Sequence, residues 1–256
     1  MKIFKIIVAV VLLGLLSGFE TGYAQSPSDT DLSVQFRQAG MAYQSEDYQK
    51  AIELYEGVVR SGSVSGAVYY NLGNSYFKKN QLGRAVLNYE RAKRLLPRDN
   101  DLNANDHYAV SLIKNGQGPS RESFLVRGLD NYAEYFTLDE VTGVLFFFFF
   151  LTGGFYFLGL FLRWPARNYV AAIVLSCGLL FFHGFIFVYK INRQNKSAVA
   201  VEAAPAKFEP LENATIYFEL PEGEKVKILK AEEGWSKIQR PDGKLGWVKQ
   251  SAVEKI

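Results

Sequence analysis

The side chains that most often carry covalent chemistry are scarce in this 256-residue sequence. It contains one cysteine, Cys177, and two histidines, His107 and His183, and neither histidine stands beside a cysteine or a glycine-rich motif. An enzyme would need a nucleophile with its base, a set of metal ligands or a phosphate-binding loop. The sequence therefore predicts a protein that is not an enzyme and that uses no cofactor or metal. The net charge of +3 likewise makes no case for binding nucleic acid.

Aromatic and small residues that recur at a fixed spacing point instead to binding. Similar residues stand 34 positions apart: Ala51 and Ala85, Tyr55 and Tyr89, Tyr43 and Phe77, and Glu56 and Glu90. That period is typical of helix-turn-helix solenoids, in which stacked helix pairs bury one continuous core. The second copy resembles the tetratricopeptide repeat (TPR) at almost every signature position: Tyr69, Leu72, Gly73, Tyr76, Ala85, Tyr89, Ala92 and Pro97. We expect a TPR domain over residues 32–114, with two repeats and a capping helix.

The TPR resemblance implies a concave groove lined by the first helix of each repeat. Its aromatic, amide and basic side chains would be Phe36, Arg37, Tyr43, Gln44, Tyr70, Asn71, Asn74, Phe77, Lys78 and Asn105. Amides there can bond the backbone of an extended or helical peptide, while aromatic rings hold its apolar side chains. The alternative is that the amides bond within the repeats and that the aromatics belong to the core. Asn74 with Asn105 partly resembles a carboxylate clamp, but the basic partners of that clamp are missing.

Two long apolar stretches predict a membrane hairpin. Residues 141–162 carry no charge, and residues 169–189 contain only Cys177 and His183 as ionisable groups of note. Each stretch is long enough to cross a hydrocarbon core of about 30 Å as a helix. Because only residues 163–168 separate them, we expect an antiparallel pair whose outer ends share one side of the membrane. We expect His183 to make an interhelical hydrogen bond to Ser176, to Thr152 or to another subunit.

The start of the chain predicts which side that is. Residues 1–24 combine a positively charged start, a short apolar region and small residues near the end, which is the pattern of a signal peptide. We therefore expect the hairpin in a bacterial inner membrane and both soluble parts in the periplasm. One feature disagrees, since Lys190, Arg193 and Lys196 follow the second span, where the positive-inside bias favours the cytoplasm.

Two connecting segments lie next to the hairpin. Residues 115–137 are predicted to form a linker that contains an amphipathic helix at the membrane surface. Leu125, Leu129, Tyr132 and Phe136 recur there at helical spacing. Residues 190–197 are polar, and we expect them to form a tether to the C-terminal module.

The last part of the chain, residues 198–256, predicts a small β-barrel of short strands and tight turns. Gly234-Trp235 and Gly246-Trp247 resemble the glycine-tryptophan pairs of the bacterial SH3 domain. The resemblance implies ligand binding through aromatic side chains on one face, with Tyr217, Phe218, Trp235 and Trp247 as candidates. Trp247 fits the barrel core equally well.

In order, the segments describe a multidomain membrane protein with an α-helical TPR solenoid, a two-helix transmembrane hairpin and a C-terminal all-β SH3-like barrel. This architecture resembles the Bacteroides aerotolerance (Bat) family. The resemblance implies a membrane-anchored scaffold in stress or oxygen tolerance. Its partners would be Bat proteins with von Willebrand factor A domains or TPRs, and a MoxR-type ATPase. The alternative is a cell-envelope sensor that binds peptidoglycan through the SH3-like module.

Overall fold

The computed structural model describes residues 27–62, 65–113, 123–162 and 165–256. The predicted signal peptide, residues 1–24, lies outside the described residues, as does the first part of the predicted linker. The described chain forms eight α-helices followed by seven strands. The order of a helical N-terminal region, two long apolar helices and a C-terminal sheet is the one that the sequence predicted.

The N-terminal solenoid consists of five helices: α1 (Pro27–Gln44), α2 (Tyr48–Arg60), α3 (Gly66–Lys78), α4 (Leu82–Leu95) and α5 (Asn100–Leu112). Capping side chains determine where several of them begin, as at α2, where Asp47 accepts a hydrogen bond from the backbone N–H of Lys50. The turns before α2 and α4 contain Glu46 and Asn80, whose φ angles are positive, at 63° and 58°. These two residues are 34 positions apart, so the period of the sequence is also a period of the backbone.

Small residues allow the solenoid helices to approach each other closely. Ala85 and Ala92 are fully buried on α4, and a Cβ at Gly73 would lie 2.6 Å from a ring carbon of Tyr89. α5 packs on α4 and contributes the fully buried Leu102 to the same core. The last helix therefore covers the apolar side of the second repeat, which a terminal solenoid unit must do.

A short helix, α6 (Phe124–Tyr135), leads into the long helices α7 (Leu138–Leu162) and α8 (Ala166–Lys196). α7 and α8 are candidate membrane spans by length and composition, and little of either is buried inside the protein. They run antiparallel, because the Thr152 hydroxyl donates to Ser176 at 3.0 Å while Leu145 lies beside Gly184. Their outward apolar surfaces match the hydrocarbon core of a bilayer.

Residues 190–197 do not form the expected tether. α8 continues to Lys196, and the first strand begins at Ser197. The Lys190 ammonium is buried and donates to the carbonyl oxygens of Ala133 and Phe136 at 2.6 and 2.7 Å. This segment therefore joins the helices rigidly, because its basic side chain satisfies carbonyl groups at the C-terminal end of α6.

A second contact between α6 and α8 involves the buried carboxylate of Asp130. Tyr189 donates its hydroxyl hydrogen to Asp130 Oδ1 at 2.5 Å, and the Arg193 guanidinium lies 2.8 Å from Oδ2. A buried carboxylate is tolerated only when it is paired in this way. The charges of Arg193 and Asp130 thus compensate each other within the protein.

The C-terminal module is a sheet of seven strands: β1 (Ser197–Ala200), β2 (Ala204–Lys207), β3 (Ile216–Leu220), β4 (Lys225–Glu232), β5 (Trp235–Gln239), β6 (Leu245–Lys249) and β7 (Val253–Lys255). Neighbouring strands are antiparallel, in the order β3-β2-β6-β5-β4-β1-β7. Gly234 and Gly243 occupy turns at φ values of 83° and 87°, a region that favours glycine. The sheet curls around a core of Ala198, Ala200, Ala206, Leu220, Val226, Ile238, Val248 and Val253.

This β-module docks on the outer side of α4. Val199 of β1 is fully buried within the solenoid core, and Val201 and Ile256 pack against that core. The approach is close at Gly83, where a Cβ would lie 2.8 Å from the carbonyl oxygens of Ala200 and Val201. Val199, Val201 and Ile256 therefore extend the core of the solenoid, while the β-module keeps a core of its own.

Hydrogen bonds along α4 hold the docked module at both ends. Near the start of the helix, the backbone N–H of Gly83 donates to the Glu222 carboxylate at 3.3 Å. Near its end, Arg94 donates to the carbonyl oxygens of Ile256 at 2.7 Å and of Gln194, in the last turn of α8, at 2.9 Å. α4 is thus attached both to the β-module and to the end of the second candidate span.

We predict that Gly83→Ala weakens the docking of the β-module. The added methyl group meets backbone oxygens that cannot move alone, so we expect a loss of about 1–3 kcal/mol, partly offset by the better helix propensity of alanine. The measurement is thermal unfolding of the full chain in detergent, combined with limited proteolysis between the two modules. Gly40→Ala is the matched control, because its methyl group would lie at an ordinary 3.7 Å from Tyr55 and should not destabilise. Equal unfolding temperatures for both variants would contradict the prediction.

Candidate protein-binding surfaces

The structure brings three of the predicted groove residues together in one hydrogen-bond network. Asn105 on α5 donates to the Tyr70 hydroxyl at 2.9 Å and to Asn74 Oδ1 at 3.1 Å. The buried Tyr89 hydroxyl donates to the same oxygen at 2.8 Å. These side chains thus bond within the solenoid, as the alternative interpretation held. In the described part of the chain the Asn74 amino group and the Asn105 carbonyl oxygen make no hydrogen bond, so both remain available to a peptide.

Two neighbouring aromatic rings, one on α3 and one on α5, extend this surface onto the capping helix. Phe77 of α3 lies 5.7 Å from Tyr108 of α5, measured between ring centroids, and Tyr108 is largely exposed. Tyr108 was not among the predicted groove residues, although Asn105 of the same helix was. The same 34-residue period, continued from Asn74, would have reached it.

The remaining predicted groove residues divide into packed and exposed ones. Phe36 packs edge-on against Tyr55 with centroids 5.6 Å apart, and Tyr43 packs similarly against Tyr48 at 5.4 Å. Asn71 hydrogen-bonds the hydroxyl of Tyr55. The rings of Phe36 and Tyr43 are half-buried, so they stabilise the solenoid more than they offer a surface to a ligand. The exposed members are Arg37, Gln44 and Lys78.

A chain of ion pairs connects the β-module to the capping helix behind the groove. Lys225 of β4 and Lys93 of α4 both contact Glu90, at 3.1 and 2.9 Å, and Lys93 also contacts the buried Asp106 at 2.9 Å. Burial alone would raise the pKa of Glu90, but Lys225 and Lys93 outweigh it and lower that pKa to about 2. Asp106 follows Asn105 on α5, so these ion pairs end on the helix that also contributes to the groove network.

The four aromatic residues predicted for the SH3-like ligand surface do not form one surface. Trp235 and Trp247 are each only 8% exposed, and Phe218 packs against the core of the β-module. Lysine side chains also cover the indole rings, with Lys207 Nζ 5.3 Å from the Trp235 centroid. Of the four, Tyr217 alone is well exposed. Neither tryptophan therefore offers the free surface that ligand binding requires. Trp235 and Trp247 stand at odd spacing from the core residues Ile238 and Val248, so alternation places both rings on the face opposite the core of the β-module, where Lys207 and Lys237 lie over them.

Tyr217 lies beside a second exposed aromatic residue, Phe208, which was not among the predicted ligand residues. The rings of Phe208 and Tyr217 lie 4.6 Å apart, and their side chains are 58% and 44% exposed. Leu211 and Ile216 are exposed nearby in sequence. The sequence does contain a signal for Phe208: it is a large apolar residue at the start of a polar loop, where no core is expected to bury it. We call Phe208 and Tyr217 the aromatic pair.

The aromatic pair stays exposed while the β-module is docked on α4. Phe208 directly follows β2 and Tyr217 lies on β3, whereas β1 and β7 are the strands that contact α4. A ligand could reach it while the module stays docked.

His183 bonds to a different partner from those expected. Its Nδ1 donates to the Leu179 carbonyl at 2.9 Å, and its Nε2 shares a hydrogen bond with the Tyr132 hydroxyl of α6 at 3.1 Å. Ser176 and Thr152 instead bond to each other. The bond is interhelical, but it joins α8 to α6 and so contributes to anchoring α6.

Metal binding finds no support in the described residues, 27–62, 65–113, 123–162 and 165–256. No group of three histidine, cysteine, aspartate or glutamate side chains there could hold an ion. His107 is exposed on α5, and Cys177 is half-buried on α8.

Comparison with known families recognises two parts of the chain. The family model described as tetratricopeptide repeat matches residues 66–99, and the one described as bacterial SH3 domain matches residues 208–254. No curated protein matches the chain. TPR and SH3 domains are typically non-catalytic interaction modules, the first associated with protein partners and the second with the cell wall. The chain thus combines two interaction modules with two candidate membrane spans.

We predict that Trp235→Ala unfolds the β-module, whereas Tyr217→Ala leaves it intact. Removing a buried indole costs about 3–5 kcal/mol, and an exposed tyrosine at the surface costs less than about 1 kcal/mol. Near-ultraviolet circular dichroism of the full chain during heating measures the difference. A Trp235→Ala variant as stable as Tyr217→Ala would show that the covered indole does not stabilise the β-module.

Proposed function

We propose that the protein is a non-enzymatic, membrane-anchored scaffold that presents a TPR groove and an SH3-like module on the same side of the membrane. The observation that carries this proposal is the joint attachment of α4 to the β-module and to the last turn of α8. Two interaction modules joined to a membrane hairpin are suited to holding other molecules at the membrane.

The contacts between the soluble modules support a common compartment for both. The solenoid precedes the two candidate spans and the β-module follows them, yet Arg91 of α4 bonds Glu254 of β7 at 2.7 Å. Such contacts support a position of both modules on one side of the membrane, which an antiparallel hairpin provides. The pairing of Lys190 and Arg193 with α6 also weakens them as topological signals, since they are not a free cluster of positive charge.

The signal-peptide pattern of residues 1–24 favours the periplasmic side of a bacterial inner membrane. The resemblance to the Bat family adds candidate partners: proteins with von Willebrand factor A domains or TPRs, and a MoxR-type ATPase. In that setting the scaffold would serve envelope stress or oxygen tolerance. A bacterial SH3 domain agrees with a location in the cell envelope.

The groove suits a peptide with apolar side chains. Phe77 and Tyr108 offer ring faces, and the open amide groups of Asn74 and Asn105 can bond a peptide backbone. Lys78 supplies one exposed positive charge at the rim. An apolar segment with few charges fits this surface better than a chain terminus held by a cluster of basic residues.

We predict that a photo-reactive phenylalanine analogue at position 108 crosslinks partner proteins in native membranes. Tyr108 is largely exposed, so the replacement should not disturb folding. The matched control places the analogue at Lys50, which is exposed on α2, outside the groove. Mass spectrometry of the adducts identifies the partner. Equal adducts at both positions, or none at position 108, would contradict a role for the groove.

The second candidate function is binding of peptidoglycan by the β-module. It is favoured by the aromatic pair, which stays exposed while the module is docked on α4. Neighbouring aromatic rings on an exposed surface can hold sugar rings or the apolar parts of a stem peptide. In this version the protein senses or holds the wall, and the solenoid passes that contact to a partner.

We predict that detergent-solubilised protein is retained on purified peptidoglycan and that Phe208→Ala with Tyr217→Ala lowers the retention several-fold. The matched control is Leu229→Ala, which removes an exposed apolar side chain elsewhere, on β4. Retention is measured by sedimentation followed by gel densitometry. Unchanged retention of the double variant would exclude the aromatic pair, and failure of the unaltered protein to sediment would exclude wall binding.

A further inference from the structure

Helix α6 carries an apolar face that the rest of the described chain does not cover. Phe124, Leu125 and Tyr135 are 74%, 65% and 55% exposed. At about 100° per residue, Phe124 and Tyr135 share one side of the helix and Leu125 borders it. Three such exposed apolar side chains on neighbouring sides of one short helix indicate a surface that contacts lipid or protein instead of water.

The contacts of α6 identify where this face lies. Tyr132 bonds His183, and Ala133 packs with Ile186, so α6 lies against the last third of α8. At its other end, α6 stops at Tyr135, and α7 starts only three residues later. The helix therefore lies where both candidate spans reach the membrane surface, and its uncovered side adjoins the side that contacts α8.

The charges of α6 lie on another side of the helix and are nearly balanced. Arg127 and Glu134 are exposed and oppositely charged, and Asp130 is paired with Arg193 of α8. No excess of positive charge is present on α6 to attract anionic headgroups. Insertion of apolar side chains, rather than attraction to lipid charge, is the interaction that this composition provides.

We propose that α6 is a lipid-binding helix that lies in the membrane surface, with Phe124, Leu125 and Tyr135 inserted between the headgroups and the acyl chains. The proposal rests on the proposed function in one respect, that α7 and α8 cross a membrane. The lipid is the same bilayer that these helices span. Binding depends on its apolar region and not on a particular headgroup.

This contact would also set the position of the groove. Arg98, in the turn after α4, lies 3.1 Å from Glu140 of α7, and its guanidinium lies over the Tyr135 ring at 5.4 Å. That end of the solenoid is thus held at the membrane surface. α4 is 14 residues long, which is about 20 Å of helix. A partner of the groove must therefore reach within about that distance of the bilayer.

The test measures the depth of spin labels in the full chain, reconstituted into phosphatidylethanolamine and phosphatidylglycerol vesicles. Cys177→Ala removes the native thiol, and single cysteines replace Phe124, Leu125, Glu134 and Phe149. The ratio of oxygen to nickel-chelate accessibility is read for each label. We expect lipid-like ratios at positions 124, 125 and 149 and a several-fold lower, water-like ratio at position 134. Vesicles of phosphatidylcholine alone should give the same values.

The label at Phe149, an exposed residue of α7, separates the two proposals. A lipid-like ratio there with water-like ratios at 124 and 125 overturns the inference and leaves the membrane anchor standing. Labels at 124 and 125 that are shielded from both reagents show a protein cover, such as a second copy, and also overturn it. A water-like label at 149 overturns both proposals. Two α6 positions are labelled so that misfolding of one variant does not decide the result.

Discussion

The burial of helix α4 on two sides is the constraint on which the architecture depends. α3 and α5 cover one side, as in any solenoid, and β1 covers the other with the fully buried Val199. Two TPR-like repeats with a cap are few for a free-standing solenoid. The β-module supplies the missing apolar cover. The short array is therefore completed from within the chain, by residues that follow the hairpin of α7 and α8.

The docking is also electrostatic, and the charges are arranged so that few are left buried without a partner. Glu90 lies between Lys93 and Lys225, and Lys93 reaches the buried Asp106. A buried ion pair contributes little net stability, but breaking one leaves an uncompensated charge. Such a chain therefore acts mainly to select one docked arrangement. These ion pairs also connect the β-module to α5, which contributes Asn105 to the groove network.

Where α6 packs against the end of α8, polar side chains have a structural role that composition alone does not reveal. Lys190 and Arg193 look like free positive charges after a span, yet they bind the carbonyl groups and the carboxylate of α6. Tyr132 and His183 join the same two helices. These bonds hold α6 in one orientation beside α8. The soluble modules are thereby fixed relative to the hairpin instead of hanging from a flexible connection.

The sequence by itself determined the elements that depend on local pattern. The 34-residue period predicted the solenoid, and the match to a TPR model over residues 66–99 agrees with it. Alternation and glycine-tryptophan pairs predicted the β-module, in agreement with the bacterial SH3 match over residues 208–254. The apolar runs predicted two long helices, because length and composition suffice to identify candidate spans.

Only the tertiary structure decided which side chains remain on the surface and which modules touch. Alternation shows that a strand has two faces, but only packing in the folded module covered Trp235 and Trp247 and left Phe208 exposed. The bond from Gly83 to Glu222 joins residues 139 positions apart, and no local pattern records such a pairing. Asn74 was predicted to bind a ligand, but its side-chain oxygen accepts a hydrogen bond within the solenoid. The buried hydroxyl of Tyr89 needs a partner, and Asn74 provides it.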